Sequence, residues 1–199
     1  MIKDNTIICI FGMKGGGKSF LTKQIIDEYK RVIIIDNQQE YDNAEVVEGY
    51  RACVERTVQA SKEKKFKISL RADSNEQDLE LIRLASTIQN QLLVLEEASK
   101  YVSHSGMPDE IARLIRFGRH DAISQIYLAR RASELHRDIT ANADIIISFH
   151  QHEPRDVLYL RDFMGKRANK VRKLKKYKFI AYGKKSKAPA IVLERLHKD

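Results

Sequence analysis

Eight residues separate an apolar run from a segment of helical spacing: Gly12-Met13-Lys14-Gly15-Gly16-Gly17-Lys18-Ser19. Half of them are glycine, so what this stretch presents is its backbone. Glycine permits the curled conformations that turn successive N–H groups towards one point. A helix leaving such a loop adds the positive end of its dipole at the same place. The spacing fits G-x-x-x-x-G-K-[ST], the P-loop pattern, in which a lysine meets β- and γ-phosphates and a hydroxyl meets Mg2+. The chain is therefore expected to bind ATP and Mg2+ through Gly12, Met13, Lys14, Gly15, Gly16, Gly17, Lys18, Ser19 and Phe20. Lys18 is the expected catalytic cation and Ser19 an expected metal ligand.

A loop of this kind needs a strand before it and a helix after it, and the chain repeats that alternation. Apolar runs occur at 6–11 (TIICIF), 31–36 (RVIIID), 66–71 (FKISLR), 91–96 (QLLVLE), 123–129 (ISQIYLA) and 144–149 (DIIISF). Several are apolar almost throughout, as strands buried on both faces are. Segments 19–30, 74–90 and 108–120 have helical spacing, with Ser74 or Asn75 suited to cap the second and Asp78 in its first turn. The pattern predicts an α/β fold, a mostly parallel sheet covered by helices on both faces. Near the end, YKFIAYG, KKSKAPA and IVLERL read as two strands around a turn, a C-terminal β-hairpin over about 176–196. The 199 residues are read as one domain.

The run QLLVLE ends in Glu96-Glu97. Adjacent carboxylates at the end of a buried strand are costly unless a cation lies close by. One can reach the Mg2+ shell, so Glu96 is an expected metal ligand. The next can polarise water for in-line attack, so Glu97 is an expected catalytic residue. His150 and His152 alternate after a strand without further ligands close in sequence, and are read as a polar strand end rather than a metal pair.

Composition narrows the class. No apolar run approaches the roughly 20 residues that span a bilayer. The N-terminus does not resemble a cleavable leader. Cys9 and Cys53 make no disulfide framework, so a cytoplasmic protein with reduced thiols is expected. Charge is unevenly placed: residues 1–160 carry 22 Lys/Arg against 24 Asp/Glu, whereas 161–187 carry 12 against 1. So local an excess points to a polyanion. Lys166, Arg167, Lys170, Arg172, Lys173, Lys175 and Lys176 are the expected contacts to that polyanion, on a helix through 166–176; the family resemblance given below implies that it is DNA. Tyr177 is the ring within KRANKVRKLKKYK, so stacking on single-stranded bases is secondary.

Together these motifs resemble the FtsK–HerA superfamily of P-loop DNA-pumping ATPases, over roughly residues 6–185. Asp36, Glu40 and Tyr41 of IIIDNQQEY fall on that group's second-strand motif. Asp36 either positions water or the Mg2+ shell or caps its loop; Glu40 is similar, and Tyr41 is read as packing. LLVLEEA resembles the acidic motif, with Glu96 where Asp is usual and Glu97 matching the catalytic glutamate. The stretch RLIRFGRHDAISQIYLARRASELHRDITANADIIISF resembles the family's helix, Arg/Gly-rich corner, strand and polar sensor. Arg119 aligns with the arginine that the family offers to a neighbouring subunit's nucleotide, and Arg116 is a substitute. Gln-Arg-Pro is common after the strand; this chain has Arg130-Arg131-Ala132, so Arg130 replaces an amide that senses the γ-phosphate. The loop K-G-G-G-K is one residue shorter than the K-G-G-x-G-K variant of ParA-type ATPases, which leaves Lys14 facing solvent or a neighbour.

The resemblance implies a RecA/ASCE-like P-loop NTPase core with catalytic roles for Arg119 and Arg130 beside Lys18 and Glu97. It also implies a homo-oligomeric ring, a hexamer, with one arginine acting in trans. A bare motor with a terminal hairpin resembles the small A32-like or P9-like genome-packaging ATPases of membrane-containing icosahedral DNA viruses. That implies ATP hydrolysis coupled to movement of double-stranded DNA into a procapsid. A capsid or membrane-vertex protein would be a partner, and the host cytoplasm or the virion the location. Two other classes compete. A small P-loop kinase would use Arg119, Arg130 and Arg131 as a phosphate clamp, but paired carboxylates favour activation of water. A nucleotide-dependent phage or mobile-element assembly factor would usually carry a transmembrane segment.

Overall fold

The computed structural model describes residues 5–103, 106–183 and the backbone of 191–193. In chain order the elements are β1 (Ile7–Phe11), α1 (Lys18–Asp27), β2 (Arg31–Ile35), β3 (Glu45–Glu48), α2 (Tyr50–Ala60), β4 (Phe66–Arg71), α3 (Asn75–Ala85) and β5 (Gln91–Leu95). They continue with α4 (Asp109–Phe117), β6 (Ile123–Ala129), α5 (Arg137–Asn142), β7 (Ile145–Ser148), α6 (Pro154–Met164), β8 (Phe179–Gly183) and β9 (Ile191–Leu193). Each of the six apolar runs is a strand, within a residue or two of its expected limits.

The strands form one sheet in the order β3-β4-β2-β5-β6-β1-β7-β8-β9. Pairing is parallel from β3 through β7 and antiparallel from β7 to β9. The expected terminal hairpin is therefore an extension of the main sheet, with Phe179 opposite Leu193; its turn lies outside the described residues. β1 lies between β6 and β7, and all five of its residues are buried. Successive side chains point to opposite faces. Ile7, Cys9 and Phe11 join the core that includes Cys53 of α2, Leu81 of α3, Leu114 of α4, Ile139 of α5 and Leu160 of α6. Ile8 and Ile10 join the opposite core, under Leu21, Ile25 and Ile26 of α1.

Ser74 caps α3 by accepting from the Gln77 amide, and Asp78 sits in the first turn. Three elements carried weaker signals. β3, with the sequence EVVE, is a short edge strand with mostly exposed residues, which blunts a free edge but leaves little hydrophobic pattern. α2 buries Cys53, Thr57 and Ala60, a face too small and too polar to stand out. α6 was legible in principle, because Pro154 opens it and Val157, Leu160 and Met164 recur at helical spacing.

The helix expected through 166–176 is present over Gly165–Lys173, and it is a 310 helix. Three residues per turn stack every third side chain. The buried Ala168 and Val171 and the partly buried Leu174 follow that spacing, while the lysines and arginines between them stay exposed.

Asp36, at the end of β2, is fully buried and accepts four hydrogen bonds. The Glu40 amide (2.9 Å), the Tyr41 amide (3.2 Å), the Ser69 hydroxyl (2.8 Å) and the Arg71 guanidinium (3.2 Å) all point at it. It thereby folds loop 37–41 back over the sheet and joins β2 to β4. Of the two roles open to it in the sequence, these contacts are those of a loop cap. Replacing Asp36 by Ala leaves two amides and the Ser69 hydroxyl without this acceptor and leaves Arg71 with Glu48 alone; the expected loss in chemical denaturation is about 3 kcal/mol, and one below about 1 kcal/mol would remove this role.

Candidate active site

Parallel pairing aligns the carboxyl ends of β1, β5, β6 and β7, and the candidate residues follow those ends. The P-loop leaves β1 after Phe11. Gly15 and Gly17 adopt positive φ (71° and 111°), conformations that side chains disfavour. Gly12 has a second reason to be glycine: a Cβ there would lie 2.7 Å from Cβ of Phe149. Lys18, buried at the start of α1, donates to the Gly12 carbonyl at 2.9 Å, closing the loop on itself. Met13, Lys14 and Gly15 are exposed, and Lys14 lines the mouth of the cavity.

That cavity, of about 500 Å3, is lined by Lys14, Lys18 and Ser19 of the loop, by Glu40, Glu96, Glu97 and Arg130, and by apolar side chains. Its size suits a small-molecule ligand. The Ser19 hydroxyl donates to Glu40. Glu96 is buried and accepts from the Tyr41 hydroxyl at 2.7 Å. Burial pushes its carboxyl up to about 7; the Tyr41 hydrogen bond and the Lys18 cation pull it back, while Glu40 and Glu97 add to the rise. Tyr41, read as packing, is buried and is also the donor that orients Glu96.

Ser19 and Glu96, with Glu40 beside them, are hard oxygen donors few in number. This set fits Mg2+, which keeps several waters and takes phosphate oxygens rather than an all-protein cage. Among the described residues no three His, Cys, Asp or Glu side chains converge as metal ligands.

Glu97 has a left-handed backbone (φ 49°), unusual outside glycine, that ends β5 abruptly. One carboxylate oxygen accepts from Arg130 Nε at 3.2 Å. Arg130 is thus at the cavity, as its place after β6 implies. Arg131 is not: it pairs with the buried Asp156 of α6 at 3.0 Å. Arg119 lies at the other end of the sheet, donating to Asp144 at 3.0 Å and to the Asn142 carbonyl. Asp144 also accepts from the amide of Ile7, the first residue of β1. The five residues of β1 therefore separate Arg119 from the P-loop, a rise of roughly 16 Å. Arg116 is exposed at the end of α4.

The seven basic candidates, Lys166, Arg167, Lys170, Arg172, Lys173, Lys175 and Lys176, are all exposed. Their segment is tied to the cavity by the His150-Gln151 pair. The Gln151 amide donates to the Val171 carbonyl, its side chain to the Arg130 carbonyl, and His150 contacts the Arg172 carbonyl. Sequence reasoning missed this tether and the rings Phe149, Tyr177 and Phe179 on the cavity wall. Phe149 and Phe179 pack with centroids 5.3 Å apart.

The raised Glu96 carboxyl has a consequence for stability. It holds its proton more tightly folded than unfolded, so its stabilising share is complete below about pH 4.5 and is lost as pH rises through about 7. Metal-free protein is expected to lose thermal stability across that window, and Glu96→Gln to remove that part of the slope. Parallel profiles for the two proteins would place the titrating group elsewhere.

Comparison with known proteins agrees with the architecture. Residues 5–188 match the family model described as the central domain of helicase HerA. A search of curated proteins finds no match. Among solved structures, the genome-packaging NTPase B204 of Sulfolobus turreted icosahedral virus 2, in complex with AMP, superposes with a TM-score of 0.79. It is 21% identical, over 98% of this chain and 100% of that one. The same protein with ATP-gammaS gives 0.78 at 22% identity, covering 97% and 98% of the two chains. VirB4 of Thermoanaerobacter pseudethanolicus gives 0.69 at 12% identity, covering 96% and 90%. These likenesses establish a P-loop NTPase fold. By its match over nearly the whole sequence, the chain belongs to the HerA central-domain family of the FtsK–HerA group.

Proposed function

We propose that this protein is an ATP-hydrolysing motor that moves double-stranded DNA and packages it into a viral procapsid. The observation that carries the reading is the convergence of Lys18, Glu97 and Arg130 on one cavity at the P-loop. Lys18 exchanges the Gly12 carbonyl for β- and γ-phosphate oxygens. Ser19 and Glu96 would hold Mg2+, which would supply charge neutralisation at those oxygens. Glu97 orients and deprotonates the attacking water. Before nucleotide enters, Arg130 occupies Glu97; an incoming γ-phosphate competes for the guanidinium and frees the carboxylate for water. The guanidinium is half in solvent while the Glu97 carboxylate is buried, so the exchange depends on the incoming ligand and its cation to offset the lost pair.

Arg116 and Arg119, at the far end of the sheet from their own P-loop, would act on nucleotide only in a neighbouring subunit. The exposed ring of Phe117 between them suits a protein contact, and a hexameric ring with one arginine acting in trans is part of this reading. The exposed basic segment supplies phosphate contacts indifferent to sequence, which a translocase needs. Among the described residues no helix is long and apolar enough to cross a membrane. A capsid or membrane-vertex protein as docking partner, and a site of action in the host cytoplasm or virion, belong to the same proposal.

Duplex DNA is expected to stimulate phosphate release from Mg·ATP by the wild-type protein. Glu97→Gln should keep ATP binding and lose turnover by roughly 100-fold or more. Undiminished turnover in Glu97→Gln would remove the glutamate from the chemistry, and phosphorylation of a small acceptor in place of phosphate release would make the protein a kinase.

Changing Lys170, Arg172, Lys173 and Lys175 together to Gln should weaken duplex binding and flatten its dependence on salt, by up to about one unit of log–log slope per lost phosphate contact. An unaltered slope would move the DNA track to another surface.

A further inference from the structure

The cavity has two unlike sides, and the chemistry above uses one of them. In the sheet order β5-β6-β1-β7-β8, the P-loop leaves the central β1. Glu96, Glu97 and Arg130 follow β5 and β6 to one side. Phe149 follows β7 and Phe179 opens β8 on the other, where β8 runs antiparallel so that Ile180 pairs with Ser148. Both rings therefore stand at the same carboxyl edge as the acids. Tyr177 joins them, and all three line the cavity with Phe20 and Leu21 of α1. A ligand with an anionic end and a flat apolar end fits such a cavity in one orientation: phosphates over the P-loop, ring system towards β7 and β8.

Tyr177 is the distinctive member of the wall. Its Cδ1 lies 3.2 Å from the position a Cβ on Gly17 would take, so its ring lies against the phosphate loop itself. The residue is 45% exposed, which leaves ring surface open, whereas Phe149 and Phe179 are buried beneath. Its φ of 67° is rare for a bulky side chain, and strain of this sort persists where surrounding structure requires it. Its neighbours are Lys175, Lys176 and Lys178, and Lys176 Nζ sits 5.0 Å from the ring centroid. The ring is therefore carried by the basic segment.

We propose that Tyr177 stacks on the nucleobase of the bound nucleoside triphosphate, so that the basic segment itself forms one wall of the nucleotide site. This rests on the reading of the cavity as a triphosphate site. It gives Tyr177, which the sequence marked only as an aromatic among charges, a ligand of defined chemistry. It also makes base binding and the placement of the neighbouring lysines parts of one structural unit.

Inorganic tripolyphosphate, which lacks a base, separates stacking from loop geometry. Calorimetric titration of Mg·ATP and of magnesium tripolyphosphate would be run on wild type, Tyr177→Ala, Tyr177→Phe and Lys18→Ala. Tyr177→Ala is expected to bind ATP roughly tenfold more weakly with tripolyphosphate unchanged, the size of a lost base–ring stack. Tyr177→Phe should behave as wild type, and Lys18→Ala should lose both ligands. Unchanged ATP affinity in Tyr177→Ala, or equal weakening of both ligands, overturns the stacking role while leaving the triphosphate site intact. Wild type that binds neither ligand overturns the triphosphate reading and this assignment with it.

Discussion

Parallel pairing of β1 with β6 and β7 aims several strand ends at one place, and the candidate chemistry is assembled there. A main-chain loop can present its N–H groups to an anion only if the strand before it and the helix after it are both held still. β1 is held by neighbours on both sides and by apolar cores above and below. Lys18 then ties the loop to itself through the Gly12 carbonyl. The same edge receives Glu96 and Glu97 from β5 and Arg130 from β6, so one constraint positions the loop, the acids and the arginine.

The buried carboxylates at that edge differ in what holds them. Asp36 is spent on holding loop 37–41, which carries Glu40 to the cavity and Tyr41 to Glu96. Glu96 is buried beneath Tyr41 and keeps its proton more readily than a surface carboxyl. Glu97 is buried as well, but its partner Arg130 is half in solvent. Asp36 and Glu96 are thus held by partners inside the protein, whereas the partner of Glu97 reaches the surface. The Gln151 hydrogen bonds extend the arrangement from the Arg130 carbonyl to the 310 helix of the basic segment.

Most of the fold was legible because strands buried on both faces are apolar almost throughout. Six such runs gave six strands, and the glycine pattern identified the strand–loop–helix unit. What escaped was weakly patterned: an edge strand rich in acid, and a helix whose buried face is Cys53, Thr57 and Ala60. The basic segment was read as a helix but its 310 type was not, because the spacing of three in Ala168, Val171 and Leu174 was lost among charges. In the site, the loop, Glu96, Glu97 and Arg130 were all readable, since motif spacing places them relative to strand ends. Phe149, Tyr177, Phe179 and the Gln151 tether were not, because their roles depend on which strand lies beside β1.

Local chemistry written in consecutive residues was determined by the sequence alone: the phosphate loop, the paired acids, the parallel α/β class and the basic run. Pairing across the sheet was decided only in three dimensions. The antiparallel docking of β8 on β7 carries Tyr177 and Phe179 to the P-loop from about 160 residues away in the chain. The crossing of α4 to the amino edge puts Arg119 out of reach of its own loop. Strand order and direction set those distances, and they arise from burial of both sheet faces at once, a condition that no local stretch of residues contains.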